Sequence, residues 1–338
     1  MKQVAVVILN WNGRELLERF LPALIARTEP ESVELVVADN GSTDDSLAFL
    51  TQHYPSIRTI ALDRNYGFAE GYNRALEKIE NEYVVLLNSD VEVGHDWLRP
   101  AIDYLDNHRE VAALQPKILS ARDRSSFDYA GAAGGFIDRY GYPFCRGRIF
   151  DTVEKDGGQY DDITNVLWAS GACLIIRTEI YKSLGGLDAR FFAHQEEIDL
   201  CWRIRRTGAK IVCYPLSTVY HLGGATLNMN HPQKTFLNYR NNLLMLYKNL
   251  PRKDYSKVMI VRFFLDYLVA LQGLLTGHPA HAAAIRKARR DFHRQKKQYG
   301  PERKEYTLPE EVFRKSIVYQ YYLLSRKKYL QLFERIQK

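Results

Sequence analysis

The first half of the chain alternates apolar runs with amphipathic segments, and this alternation limits the possible fold more than any other feature. The apolar runs are rich in Val, Ile and Leu at every position, which is typical of strands buried on both faces of a parallel sheet. The β-α-β-α order predicts an α/β fold with an open, mainly parallel sheet and right-handed crossovers. The predicted strands are 4–9, 33–38, 57–62 and 83–87, and the predicted helices are 14–27, 43–53 and 68–80.

The later part of the chain has a less regular pattern. Gly and Tyr are frequent from 120 to 165, which predicts a long loop or irregular hairpins over the sheet edge, where specificity often resides. A strand is predicted at 172–176, a helix at about 195–208 and a strand at 211–214. From about residue 232 onward the pattern is helical.

Short polar side chains follow each of the four predicted strands at its carboxyl end. Any one of these loops is explained about equally well by turn chemistry, because Asn, Asp, Gly and Ser favour turns and helix N-caps. Four such loops in register favour a binding site, since ligands of open parallel sheets bind at this edge. Asp90 follows a wholly apolar strand and would suit Mg²⁺ or Mn²⁺ if substrate phosphates supplied further ligands. The loops contain Asn10-Trp11-Asn12-Gly13, Asp39-Asn40-Gly41-Ser42, Asp63-Arg64-Asn65-Tyr66-Gly67 and Asn88-Ser89-Asp90.

A second polar cluster stands at the start of the predicted helix at 195–208. Glu196, Glu197 and Asp199 form an acidic first turn, which suits the helix dipole, and Asp199 can pair with Arg203 four residues later. The helix dipole explains Asp199 better than it explains Glu197. The aromatic residues before Glu197 would raise the pKa of Glu197 and make it a better base. His221 precedes two glycines that permit close approach of a ligand, although a lone histidine is more often structural.

Several classes of protein lose support from the sequence. No GxxxxGK[ST] motif occurs and no GxGxxG follows the first strand, which argues against a P-loop ATPase and a Rossmann dehydrogenase. The four cysteines are far apart without a CxxC pair, which argues against a disulfide framework or a zinc knuckle and for a reducing compartment. The apolar run at 4–9 lacks a cleavage site and is interpreted as a strand rather than a signal peptide.

The charge is distributed unevenly along the chain. Residues 248–338 contain 21 Lys and Arg against 8 Asp and Glu, a net +13, whereas the preceding residues carry −6. This predicts that the tail faces a polyanion. Its most apolar part, 258–275, carries Arg262 and Asp266 at helical spacing, which favours an amphipathic helix on an anionic membrane surface or packed on the body over a membrane span. The tail lacks nucleic-acid-binding motifs, so nucleic acid is not an expected partner.

Over residues 3–225 the chain resembles the glycosyltransferase family 2 enzymes of the GT-A fold, in particular bacterial rhamnosyltransferase-like members. The resemblance implies a GT-A nucleotide-diphospho-sugar transferase fold with a C-terminal helical extension. It divides the chain into a transferase domain at 1–231, with a nucleotide half (1–118) and an acceptor half (119–231), and a basic amphipathic extension at 232–338. The resembling motifs are VVILNWNG, VVADNGSTDDS, NYGFAEGYN, VVLLNSDVEV, WASGACLIIR, GGLDARFFAHQEEIDLCWRIRRTG and YPLSTVYHLGG.

The resemblance also implies a role for each matching residue. Glu197 falls at the position of the general base, and Asp90 and His221 at the positions of the metal ligands. The acceptor-side segment corresponds to Trp168, Gly171, Ala172 and Glu196. Donor-binding positions are Asn10, Asn12, Asp39, Asn65, Gly67, Asn73, Asn88 and Asp90, with Asp39 on the nucleotide base.

The function implied by the resemblance is inverting, metal-dependent transfer of a single rhamnose or hexose. The donor would be a dTDP- or UDP-linked sugar and the acceptor a hydroxyl of a glycan or lipid-linked molecule, on the cytoplasmic face of the cell membrane. Two departures from the family pattern are Asn88 at the first DxD position and Glu196-Glu197 in place of the usual Glu-Asp pair. Absence of QxxRW favours single-sugar transfer. The alternatives are a sugar nucleotidylyltransferase and a non-catalytic sugar-nucleotide-binding protein at the membrane surface.

Overall fold

The computed structural model of the protein describes residues 2–29, 31–223, 231–300 and 305–333. Gly224, the second of the two glycines after His221, lies outside these ranges. The helices are α1 (Arg14–Ala26), α2 (Ser46–His53), α3 (Gly67–Leu76), α4 (Arg99–Asn107), α5 (Thr178–Ser183), α6 (Glu196–Arg206), α7 (Pro232–Asn249), α8 (Arg252–Leu275) and α9 (Pro279–Gln295). The strands are β1 (Val4–Asn10), β2 (Val33–Asp39), β3 (Arg58–Ala61), β4 (Tyr83–Asn88), β5 (Val91–Val93), β6 (Val111–Ser120), β7 (Gly135–Asp138), β8 (Pro143–Cys145), β9 (Arg148–Ile149), β10 (Thr152–Val153), β11 (Thr164–Asn165), β12 (Cys173–Arg177), β13 (Lys210–His221) and β14 (Val312–Phe313).

The larger of the sheets in the described ranges has nine strands in the order β11-β13-β6-β12-β4-β1-β2-β3, with β5 paired to β13. Strands β1 to β4 pair in parallel, and β12 inserts antiparallel between β4 and β6. The sheet is therefore mainly parallel on the nucleotide side and mixed on the other. Because strands from both predicted halves, 1–118 and 119–231, share this sheet, the halves are parts of one packed unit.

The four apolar runs form strands where the sequence predicts them, because both faces of the sheet are covered. Residues 83–87 of β4 are each at most 1% exposed, and burial of each Val or Leu there contributes about 1.5–3 kcal/mol. The parallel register places Asn10 opposite Asp39 and Leu9 opposite Asn88. The polar residues at the strand ends therefore meet at one edge of the sheet.

The stretch from 120 to 165 is more regular than the sequence predicts. It contributes β7 to β10 to a second sheet with the order β10-β9-β8-β7-β14. The short strands escaped prediction because glycines interrupt their pattern. One of these glycines, Gly135, is required by packing, since a Cβ there would lie 2.0 Å from the Trp168 indole.

The C-terminal region is integrated with the rest of the protein. Strand β14 pairs with β7, and the Ile317 N–H donates to Asp138 at 2.9 Å. Lys248 of α7 lies 2.7 Å from both Asp188 and Asp199 of the body. The predicted boundary after residue 231 is thus not a boundary in the packing, and residues 305–333 are largely irregular where helix was expected.

Candidate active site

The loops after β1 and β2 are joined by buried polar contacts. The Asn10 amide donates to Asp39 at 2.9 Å and to the Ser42 hydroxyl at 3.2 Å, and the second Asp39 oxygen accepts the Ser42 N–H at 2.9 Å. Both Asn10 and Asp39 have no exposed surface. These contacts fix the shape of the predicted nucleotide-base site, and Asn10 Oδ1 is a buried acceptor without a hydrogen-bond partner among the described residues.

Asn12, Asn65 and Gly67 shape the neighbouring loops. Asn12 has a left-handed φ of 50°, and its side-chain oxygen accepts the Thr43 N–H at 2.7 Å. Asn65 accepts the N–H of Gly67 at 2.8 Å, where α3 begins. A Cβ on Gly67 would lie 2.5 Å from the Phe192 ring, so only glycine allows this approach between the donor side and the segment before α6.

Asn73 has contacts that differ from its predicted place beside the nucleoside and diphosphate. Its amide nitrogen donates to the Leu187 carbonyl at 2.7 Å, and its oxygen accepts from Tyr181 at 2.7 Å and from the Leu187 N–H at 2.9 Å. Because both ends of the amide are engaged in this way, we assign Asn73 to holding α3 against the segment that precedes α6.

Asp90 and His221, the predicted metal ligands, face each other at the sheet edge. Antiparallel pairing of β5 with β13 sets Val91 opposite His221, and this brings Asp90 Oδ1 within 3.2 Å of His221 Nε2. The Asn88 amide lies 3.5 Å from the same nitrogen. Two neighbouring ligands of an octahedral ion with bonds of about 2.1 Å lie ~3 Å apart, so this spacing fits a divalent cation.

The sequence analysis missed Asp128, which lies on the other side of the His221 ring. Its carboxylate is 3.1 Å from His221 Nδ1 and also accepts the Ala130 N–H. The residues that the structure describes include no group of three or more His, Cys, Asp and Glu arranged to hold a metal. A cation at Asp90 and His221 would therefore depend on further ligands such as donor phosphates.

The charges around His221 favour its protonated form. Burial alone would lower the pKa of His221, but its hydrogen bonds to Asp128 and Asp90 raise that pKa to about 10. Burial would raise the pKa of Asp90, and the hydrogen bond and charge of His221 lower it. A cation at this site would compete with the imidazolium proton, so its affinity would rise with pH.

Helix α6 begins with Glu196, which is buried, and Glu197, which is partly buried. Burial raises the pKa of Glu197 to about 7, while burial and then the charge of Glu197 hold the pKa of Glu196 well above its usual range. Oε2 of each residue has no hydrogen-bond partner within the described ranges. A carboxyl group with a pKa near neutrality and a free oxygen is suited to accept a proton.

The acceptor-side segment connects this pair to the metal-binding edge. A Cβ on Gly171 would lie 3.8 Å from Glu197 Cβ, and the next residue, Ala172, accepts the Asn88 N–H at 3.0 Å. Trp168 is instead a core residue, because its indole is 3% exposed and donates to the Phe136 carbonyl at 2.9 Å. The Gly171-Ala172 segment therefore lies beside Glu197 at one residue and is hydrogen-bonded to Asn88 at the next.

This fold and site define the class of the protein. The structure resembles that of GalNAc-T7 with UDP, GalNAc and Mn²⁺, with a TM-score of 0.59 and 16% identity over 88% of this chain and 56% of that chain. This chain thus spans little more than half of that relative. The mannosyltransferase PcManGT from Pyrobaculum calidifontis, in complex with GDP-Man and Mn²⁺, gives a TM-score of 0.52 and 15% identity over 85% of this chain and 75% of that chain. The protein has the GT-A glycosyltransferase fold.

The family is confirmed by the sequence match. A family model described as Glycosyl transferase family 2 matches residues 5–184, and the chain belongs to this family. An N-acetylglucosaminyl-diphospho-decaprenol L-rhamnosyltransferase of Mycobacterium tuberculosis is 29% identical over 64% of this chain and 75% of its own length. The rhamnosyltransferase WbbL of Escherichia coli K12 is 24% identical over 74% of this chain and 93% of its own length. The protein is therefore a glycosyltransferase with rhamnosyltransferase relatives.

Proposed function

We propose that the protein is an inverting, metal-dependent transferase that moves one rhamnose or hexose from a dTDP- or UDP-linked donor to an acceptor hydroxyl. The acceptor would be a glycan or lipid-linked molecule in cell-surface polysaccharide synthesis. The observation that carries this proposal is a short segment that lies next to two chemically different groups. Gly171 lies beside Glu197, a partly buried carboxylate with a raised pKa, and Ala172 accepts a hydrogen bond from Asn88, which lies at the same edge as Asp90 and His221.

The donor would lie along the loops after β1, β2 and β4. Asp39 and the Asn10–Asn12 segment would hold the nucleoside, while Asp90, His221 and Asn88 would hold Mg²⁺ or Mn²⁺ with the diphosphate. When bound, the cation would neutralise negative charge on the departing diphosphate. The Mn²⁺ in the two GT-A structures above supports this proposal.

Glu197 would act on the acceptor. Its carboxylate would take the proton of the acceptor hydroxyl as that oxygen forms a bond to the anomeric carbon. The bond from the anomeric carbon to the diphosphate oxygen breaks, and its electron pair leaves with the nucleoside diphosphate. Attack from the opposite face inverts the configuration, and no covalent enzyme intermediate is needed.

A screen of nucleotide sugars tests the donor proposal. The protein with Mn²⁺ should slowly hydrolyse its own donor when no acceptor is present, releasing a nucleoside diphosphate. dTDP-rhamnose and the UDP-hexoses are the first compounds to compare. If the protein binds a donor and never cleaves it, with or without lipid-linked acceptor, the non-catalytic alternative would be correct.

Asp128 should determine how well His221 binds the cation. A carboxylate behind a metal-bound histidine fixes the ring and its tautomer, and its loss commonly costs 10- to 100-fold in metal affinity. We expect Asp128→Ala to weaken Mn²⁺ binding by about this factor, measured from the electron paramagnetic resonance signal of free Mn²⁺ in the presence of UDP or dTDP. Asp106→Ala is the control, since Asp106 contacts Tyr83 at the other end of β4. Equal affinities of the two variants would contradict the role.

We also propose that the enzyme acts as a peripheral protein on the inner, cytoplasmic face of the cell membrane. Helix α8 is long and apolar enough to cross a bilayer, and 22% of its most apolar window is buried. Arg262 and Asp266 of α8 are buried, and Asp266 is paired with Arg262 at 3.1 Å and with Arg289 of α9 at 2.5 Å. A spanning α8 would have to separate from Arg289 or draw the charged α9 into the lipid, so we favour a helix in the membrane plane.

The exposed face of α8 supports this orientation. From Ile260 to Leu275 the exposed side chains of α8 are apolar apart from Gln272. Lys253 and Lys257 are exposed in the first turns of α8, and Arg286 and Arg290 are exposed on α9, where they would suit anionic headgroups. The exposed apolar side chains are Ile260, Phe263, Phe264, Tyr267, Leu268, Val269, Leu271, Leu274 and Leu275.

Vesicle flotation tests the membrane proposal. Phe264→Ser combined with Leu268→Ser should lower partitioning onto anionic vesicles by about 10²-fold, because the two inserted side chains contribute about 3 kcal/mol together. Leu216→Ser is the matched control, since Leu216 is 68% exposed on the body. Binding by the unaltered protein should weaken as salt rises. Unchanged flotation of the double variant would argue against insertion of α8.

A further inference from the structure

The turn before α6 has an unusual backbone. Phe192, His194 and Gln195 have φ values of 64°, 72° and 73°, and none of them is glycine. Left-handed backbone is unfavourable for such residues and persists only where surrounding contacts hold it. Glu197 follows two residues after this turn, and the Gln195 N–H faces its carboxylate. The conformation of the turn therefore sets where the Glu197 carboxylate lies.

Two consecutive asparagines of α7 hold this turn. The Asn241 amide nitrogen lies 2.9, 2.8 and 2.7 Å from the carbonyl oxygens of Phe191, Ala193 and His194, and shares its two protons among them. The Asn242 amide donates to the Gln195 side chain at 3.1 Å. Asn241 is fully buried and Asn242 is 5% exposed, so water does not compete for these bonds.

The asparagines are themselves fixed in place. Arg240 donates to Asn241 Oδ1 at 2.8 Å, and Arg262 of α8 donates to Asn242 Oδ1. With the amide oxygens engaged as acceptors, the amide nitrogens are oriented toward the turn. A continuous set of polar contacts thus runs from α8 through α7 to the N-terminus of α6.

We propose that Asn241, assisted by Asn242, is a positioning residue that holds the 191–195 turn in its left-handed conformation and so aims the Glu197 carboxylate at the acceptor hydroxyl. This inference rests on the proposed role of Glu197 as the base. Helix α7 then belongs to the active site, although it lies beyond the family match at 5–184. A misplacement of about 1 Å in a catalytic group costs about 10²-fold in rate.

Steady-state kinetics of Asn241→Ala test the proposal. We expect kcat to fall by about 10²-fold while the KM for the donor changes less than twofold. The acid limb of the kcat–pH profile should move to lower pH, because the relaxed turn exposes Glu197 to water. Asn81→Ala is the matched control, since Asn81 is 4% exposed and donates to the Lys2 carbonyl at 2.8 Å. If Asn241 has only a structural role, Asn241→Ala and Asn81→Ala should lose equal thermal stability and both should keep the pH profile of the unaltered protein. That result would overturn the proposal.

Gln195→Asn provides the test if Asn241→Ala does not fold. Asparagine tolerates left-handed backbone but is too short to keep the contact to Asn242. We expect about a tenfold loss of kcat and the same shift of the pH profile, and a kcat and profile like those of the unaltered protein would overturn the proposal. Glu197→Gln distinguishes failure of the proposed base from failure of the positioning role. Full activity of Glu197→Gln would reject Glu197 as the base. An inactive Glu197→Gln together with a fully active Asn241→Ala would reject only the positioning role of Asn241.

Discussion

Glu197→Gln should lower the rate of sugar transfer by about 10²- to 10⁴-fold while leaving donor binding intact. Glutamine keeps the size and hydrogen bonding of the side chain but cannot accept a proton. The effect should appear in kcat, measured with saturating donor and acceptor. Glu196→Gln is the control at the adjacent position, since Glu196 is 4% exposed and also has a raised pKa. A crippled Glu196→Gln beside a mild Glu197→Gln would assign the base to Glu196.

The pH dependence of transfer gives the same test without a mutation. Burial raises the pKa of Glu197 to about 7, and only the deprotonated form acts as a base. With Mn²⁺, donor and acceptor all saturating, the rate should therefore rise with pH through about 7 and level off above it. In Glu197→Gln the residual rate should lack this rise.

Asp90→Ala should weaken binding of UDP or dTDP in the presence of Mn²⁺ by about 10²-fold or more, because the site loses its charged metal ligand. Binding of the nucleotide without metal should change little. The fold should be retained because Asp90 lies at the edge of the sheet, after the end of β4. Calorimetric titration measures both quantities. Glu92→Gln is the nearby control, since Glu92 pairs with Arg27 and Arg124 instead. Unchanged affinity of Asp90→Ala with Mn²⁺ present would reject the metal site.

The nucleotide side of the fold could be predicted from sequence because its signals are local. Buried parallel strands show as unbroken apolar runs, and the loops at their ends carry Asn, Asp and Gly in each case. The resemblance added the pairing of Asp90 with His221, two residues 131 positions apart that the β5–β13 ladder brings to 3.2 Å. Local pattern alone contained no information about that ladder.

The supporting residues could not be predicted, because their roles depend on contacts between distant parts of the chain. Asp128 looks like a turn residue until the fold places it behind His221. Asn241 and Asn242 stand among the buried apolar residues of α7, directly before Leu243, which is a weak signal that they serve something other than packing. The spacing of Arg262 and Asp266 predicts a polar stripe on α8, but only the packing of α9 shows that this stripe faces inward and leaves the apolar face exposed.

The stereochemistry of the product tests the central claim most directly. The protein would be incubated with Mn²⁺, the donor identified by the hydrolysis screen and a lipid-linked acceptor, and the new glycosidic bond would be examined by proton NMR. The account predicts one transferred sugar whose anomeric configuration is opposite to that in the donor, together with free nucleoside diphosphate. Retention of configuration would contradict the role assigned to Glu197. In a parallel incubation with a nucleoside triphosphate and a sugar 1-phosphate, release of inorganic diphosphate with formation of a nucleotide sugar would instead identify a nucleotidylyltransferase.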